Sequence, residues 1–137
     1  MPDRQADLQC GDRRRTLTDL TPEHWIRCRS WLLAALDPGC GSEADLLADL
    51  VTGTAQLWPG EAAALVTQYL ADERGACLHI WLAGGDLAEI LAMRVGVETW
   101  ARARGCTRVT IEGRRGWTRL LRRWGYRRVG HELERRL

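Results

Sequence analysis

Residues 76–112, ACLHIWLAGGDLAEILAMRVGVETWARARGCTRVTIE, decide the fold. From Ala76 to Ala83, Leu78, Ile80 and Leu82 alternate with His79 and Trp81. Neither side of that alternation is purely polar, so it predicts a central strand covered on both faces. Gly84-Gly85-Asp86 closes the strand and opens a helix over about Leu87–Arg104. Asp86 is a capping residue, and Glu89 three positions on completes a capping box. Leu87, Ile90, Leu91, Val97 and Trp100 recur at helical spacing, and Gly105 supplies the stop. Cys106 to Glu112 alternates again, with Val109 and Ile111 facing together. A strand–helix–strand unit of this kind predicts parallel pairing through a right-handed crossover.

Outward from this unit, the N-terminal side holds two helices and two strands. Thr21 caps a helix with Pro22 in its first turn, where the missing N–H costs nothing. Trp25, Cys28, Leu32 and Leu36 form its apolar stripe, and Asp37-Pro38-Gly39 stops it. Ser42 caps a second helix, with Asp45 three residues on and Leu46, Leu47, Leu50 and Val51 on its apolar side. Ala55–Trp58, the turn Pro59-Gly60, and Ala63–Leu70 read as two strands. On the C-terminal side, Trp117, Leu120, Leu121 and Trp124 line one face of a short helix, and Arg115, Arg119, Arg122 and Arg123 the other. Tyr126 to Leu137 is a last strand with Val129, Leu133 and Leu137 inward. The expected architecture is α/β (α+β): a mixed, mostly antiparallel central sheet with helices on both faces. Residues 1–15 are polar and end in three arginines, which predicts a flexible arm before a single domain over 16–137, with a short strand near Thr16–Leu17.

Composition bounds the function classes. The chain has 137 residues, 45% hydrophobic and 28% charged, enough for one core and too apolar for intrinsic disorder. No apolar run approaches the ~18–20 residues of a membrane helix, and the N-terminus does not resemble a signal peptide, so a cytoplasmic location without membrane contact is expected. The five cysteines lack CxxC spacing, which argues for reduced thiols and against a metal site. All 20 basic residues are arginine, a pattern read either as codon bias or as selection for guanidinium forks that grip phosphate. They are unevenly placed. Residues 1–101 carry 8 Arg against 15 Asp and Glu, for −7, and residues 102–137 carry 12 Arg against 3 Glu, for +9. Such asymmetry points to a basic face that meets an anion.

Two segments carry a family resemblance: CTRVTIEG (106–113) followed by a short helix, and RRWGYRRVGHEL (122–133). Together they resemble the strand–helix–GF/GY–strand ending of the GNAT (Gcn5-related N-acetyltransferase) superfamily, and RTLTDLTPEHW (15–25) is loosely similar to its opening. The pair LHIWLAGGDLAEIL (78–91) and IEGRRGWTRLLRRWGY (111–126) is closer to short GNAT-like proteins of tailed phages and prophages. Some of those relatives are labelled acetyltransferases, and one is counted as an internal virion protein. The resemblance implies an acyl-CoA seated in a splay between the central strand and the next, its diphosphate on backbone N–H groups at the start of the long helix. An amine would attack the thioester, with a strand-borne base taking its proton. The cradle would then be Leu82, Ala83, Gly84, Gly85, Asp86 and Leu87.

This sequence departs from the family at three places. WLAGGDLAEIL does not satisfy the loop pattern Gln/Arg-x-x-Gly-x-Gly/Ala. Asp86 and Glu89 put two carboxylates at the positive end of the helix. Leu121 stands four residues before Gly125, where the family carries a Tyr that protonates the leaving thiolate.

Each candidate residue has two readings. His79 is the base candidate, or a hydrogen-bonded core histidine. Glu112 is a base or amine anchor, or an ion-pair partner of Arg114 or Arg115. The two glycines cradle phosphate or make a tight turn. Arg114, Arg115, Arg119, Arg122 and Arg123 grip an anion or form a solvated helix face. With Trp117 and Trp124 inward, single-strand recognition by stacking is disfavoured. Three functions follow: an acetyl-CoA-dependent N-acetyltransferase with a degenerate cofactor loop, acting on an amine; a non-catalytic phage or prophage protein, carried in a virion or binding a phage structural protein or nucleic acid; and a DNA-modifying enzyme. No metal is expected.

Overall fold

In the computed structural model the described residues, 21–137 apart from 38, 40, 113 and 114, fold into four helices and a six-stranded sheet. The expected N-terminal arm and the short strand at Thr16–Leu17 lie outside the described residues. The helices are α1 (Pro22–Ala35), α2 (Glu43–Thr52), α3 (Leu87–Ala103) and α4 (Arg115–Arg122). The strands are β1 (Ala55–Pro59), β2 (Ala63–Asp72), β3 (Gly75–Gly85), β4 (Arg108–Glu112), β5 (Arg127–Val129) and β6 (Glu132–Arg136). No helix is long and apolar enough to cross a membrane among the described residues.

The sheet order is β1-β2-β3-β4-β6-β5. Every neighbouring pair is antiparallel except β3 and β4, which run parallel as the intervening helix requires. The architecture is thus α+β, with a mostly antiparallel sheet and helices on both of its faces. On one face α3 and α4 bury Leu65, Leu78, Ile80, Val97, Val109 and Leu133. On the other, α1 and α2 bury Cys28, Leu32, Leu46, Leu57 and Val66.

The caps follow from the residues named above. The Thr21 hydroxyl accepts the His24 N–H at 3.2 Å. Ser42 and Asp45 close a reciprocal capping box, at 3.2 and 3.1 Å. At α3 the box is only half made. Asp86 accepts the Glu89 N–H at 3.0 Å, but the Asp86 N–H donates to Ala62 O at 2.8 Å and the Glu89 carboxylate points elsewhere.

Two strand expectations are corrected. The last segment is not one strand but the β5–β6 hairpin, because Gly130, at φ +65°, supplies the left-handed turn position. Leu82 does not face the same way as Leu78 and Ile80. Val66 pairs with Leu82 and Thr67 with Ile80, so Trp81 is an extra residue, a β-bulge that reverses the facing. Ile80 therefore enters the α3–α4 core and Leu82 the α1–α2 core.

Candidate functional site

Three strands bring the polar residues of one sheet face together. The register sets His79 of β3 against Thr110 of β4, and Thr110 against Glu134 of β6. His79 Nδ1 lies 2.8 Å from the Thr110 hydroxyl and 3.6 Å from Glu132 Oε2. Its side chain is only 13% exposed. Burial holds the imidazole below its ordinary pKa, against the pull of Glu132 and Glu112. The structure thus places His79 and Glu112 on one face, with the histidine largely neutral near pH 7 and tied to Thr110. The Arg114 and Arg115 side chains proposed as partners of Glu112 lie outside the described residues.

Charge pairs continue this face toward the start of β4. Arg108, nearly buried, donates to Asp72 Oδ2 at 2.7 Å and lies 3.6 Å from Glu134 Oε1. Arg74 donates to Glu134 Oε2 at 2.7 Å. The Arg74 backbone N–H and the Arg108 guanidinium hold the Asp72 carboxyl below its usual range. Cys77 lies on the same face with its sulfur 3.5 Å from the Thr110 hydroxyl, and burial raises its thiol pKa. Cys28 and Cys106 are likewise buried, free and raised. A buried thiol with a raised pKa is a packing group rather than a nucleophile.

The end of β3 and the start of α3 hold the expected cradle, and here the strands do part. β3 pairs with β4 only from Cys77–Arg108 to Ile80–Ile111, although β3 itself runs on to Gly85. What surrounds the opening does not fit an acyl-CoA. On the α3–α4 side, Ile80, Ile90, Ile111, Trp117, Leu121 and Tyr126 close in, leaving a cavity of about 20 Å³. That is room for about one water, not for a pantetheine arm. A Cβ on Gly84 would strike the Trp31 carbonyl of α1, and one on Gly85 would strike the Ala62 carbonyl. Both glycines are thus used for close approach of neighbouring backbone. The helix end is met by the protein's own acids. Asp86 caps Glu89, while the Glu89 carboxylate accepts the N–H groups of Glu61 at 2.6 Å and Ala62 at 2.9 Å. Leu82 is buried beneath α1 and α2, Ala83 packs on the opposite core, and Leu87 is exposed. A diphosphate here would meet the Asp86 carboxylate on the Glu89 N–H and the Glu89 carboxylate close by.

Leu121, four residues before Gly125, is buried in the apolar core. A buried charge cluster nearby escaped the sequence reading. Glu98, 3% exposed, accepts from Tyr126 Oη at 2.7 Å, Arg135 Nη1 at 2.6 Å and Arg94 Nη1 at 3.1 Å. The Arg94 guanidinium in turn lies 4.1 Å from the Trp124 ring centroid. Burial and the Glu98 carboxylate push the Tyr126 phenol far up, so it stays a proton-bearing donor. The available signal was the Arg94/Glu98 pair at i,i+4 spacing, with Glu98 next to core residue Val97.

The basic residues lie at the other end of the sheet. Arg119, Arg122 and Arg123 of α4 and its end are exposed, as are Arg127, Arg128 and Arg136. Arg128 donates to the Thr118 hydroxyl at 2.9 Å, which ties β5 to α4. The backbone at Arg115 opens α4, and Arg114 lies outside the described residues. No group of three or more His, Cys, Asp or Glu is arranged to hold a metal ion among the described residues. No family model matches the chain, and no curated protein matches it significantly.

Proposed function

We propose that this chain is a GNAT-like domain in which the acyl-CoA seat has become internal structure, and that it works by binding a partner rather than by acyl transfer. Kinship is supported by the parallel β3–β4 pair that separates after Ile80 and Ile111, and by the β4–α4 order that leads into Gly125-Tyr126. The single observation that carries the functional reading is the state of the opening. It is closed to about 20 Å³ by Trp117, Leu121 and their neighbours. At the helix end beside it the Asp86 carboxylate takes the Glu89 N–H, and the Glu89 carboxylate holds the neighbouring β1–β2 turn. The partners that this reading favours are those of a particle-associated phage or prophage protein, a structural protein or nucleic acid met by the basic C-terminal third.

Calorimetric titration with acetyl-CoA tests it. The expected result is no heat at millimolar cofactor. Micromolar binding would replace this reading with a second one, an acyl-CoA-dependent N-acetyltransferase acting on an amine. That reading has one observation in its favour, a neutral His79 on the face where β3 and β4 diverge, held by Thr110 and flanked by Glu132 and Glu112. In it His79 would take the proton of the amine.

A further inference from the structure

We infer that the groove formed by the end of α4 and the β5–β6 hairpin is a seat for the phosphate backbone of nucleic acid. The inference rests on the reading of the chain as a binding domain and names the partner. The groove has a volume of about 860 Å³ and is lined by Arg123, Arg127, Arg128, Arg135 and Arg136, with Trp124 at its side.

The balance of charge in this groove is one-sided. Its one carboxylate, Glu134, is engaged by Arg74 and faces Arg108. Arg135 is held by the buried Glu98. Arg123, Arg127 and Arg136 have no carboxylate within ion-pair distance among the described residues. The exposed Arg119 and Arg122 of α4 extend the same surface. Guanidinium groups without a carboxylate partner, held on a hairpin and a helix, are placed to meet phosphate oxygens.

Geometry selects the partner. β5 is the outermost strand, and the register sends Arg127 to the side of Glu134 and Arg128 to that of Leu133. The arginines therefore straddle an edge and do not converge on one point, which suits successive phosphates better than a single phosphoryl group. Val129 is the sole exposed large apolar residue on the hairpin, too little for the apolar centre of a protein interface. Trp124 is half-buried and carries Arg94 and Arg123 against its ring, so it offers no platform for a base. Binding should follow the backbone and ignore sequence. A bland role for these charges exists, since arginines on an edge strand also block sheet-to-sheet pairing, and the experiment separates the two.

Fluorescence anisotropy of a labelled duplex of mixed sequence, titrated with the full chain between 50 and 200 mM salt, reads the interaction. Two charge-matched double variants are compared, Arg127→Ala/Arg136→Ala in the groove and Arg102→Ala/Arg104→Ala at the end of α3. The wild type is expected to bind with a steep salt dependence. The groove variant should lose roughly tenfold or more in affinity and reduce the slope by about 2, nearly one per lost phosphate contact. The α3 variant should change affinity less than about threefold. Absence of binding at 50 mM salt would overturn the inference, as would equal losses in the two variants or tighter binding to a multiply phosphorylated peptide than to the duplex. The acetyl-CoA titration is separate, so cofactor heat would remove the binding-domain reading without deciding the anisotropy result.

Discussion

The Tyr126 hydroxyl donates a 2.7 Å hydrogen bond to Glu98 Oε2, joining the residue that opens the last hairpin to the middle of the long helix. Both side chains are buried, and Arg94 and Arg135 supply the remaining donors to the carboxylate. An ionised carboxylate survives in such a place only because its lone pairs are satisfied.

Tyr126→Phe should therefore destabilise the fold by about 1.5–3 kcal/mol, the range for a hydrogen bond to a charged group. Glu98→Gln should cost more, about 3 kcal/mol or above, because two guanidinium groups lose their counter-charge in a dry site. Urea denaturation midpoints read both. A Tyr126→Phe variant as stable as wild type would mean that the cluster adds nothing to the packing around it.

His79 predicts a pH dependence. Its folded-state pKa lies below the ordinary 6.5, so the unfolded chain binds the proton more readily. Stability from this group is full above about pH 6.5 and falls as the pH drops through the lowered folded value. Glu132 and Glu112 oppose the shift and limit its size. In denaturation midpoints between pH 5 and 8, wild type should lose stability toward the acid end and His79→Gln should show a flatter profile. Identical slopes would show that the histidine titrates alike in both states. The low-lying carboxyls of Glu43 and Asp72 act in a lower pH window and do not confuse the comparison.

Much of the fold was legible because local rules and tertiary packing agree. The Thr21, Ser42 and Asp86 caps, the Pro59-Gly60 turn and the apolar stripe of α4 each mark an element by short-range chemistry. Legibility ended where a residue answers to a distant partner. The bulge at Trp81 breaks an alternation that is unbroken in the sequence, so Leu82 changed faces. Glu89 has the spacing of a capping box, yet its carboxylate finds two amides in the β1–β2 turn instead. Of the candidate site, the pairing of His79 with Thr110 depends on β3–β4 register, which no local pattern carries. Glu98 carries no local mark of its role, since its burial is set by Tyr126 and Arg135 far along the chain.

Glu89 is expected to act as a clamp on the β1–β2 turn. Its two oxygens accept the Glu61 and Ala62 amides, and the same turn is held from α1 by Arg27, which donates to Gly60 O at 2.9 Å. Glu89→Ala should speed hydrogen exchange at the Glu61 and Ala62 amides and lower stability by about 1 kcal/mol, since water can replace part of the lost bonding. Unchanged exchange at those two amides would show that the turn holds without the carboxylate.

Gly84 separates a structural glycine from a phosphate-binding one. In a phosphate cradle the missing side chain makes room for the ligand, and an added methyl group would weaken binding while leaving the empty protein folded. Here the methyl would be driven into the Trp31 carbonyl of α1, and that atom belongs to a helix backbone with no rotamer to yield. Gly84→Ala should therefore destabilise the ligand-free protein by about 2 kcal/mol or more, in the range of overpacking and backbone strain. Gly105→Ala provides a comparison with φ +80° but open space around the Cβ, so its cost is backbone strain alone, about 1 kcal/mol. Denaturation midpoints in which Gly84→Ala costs less than Gly105→Ala would mean that α1 does not press on the end of β3. The opening between β3 and β4 would then have room that the closed structure denies it.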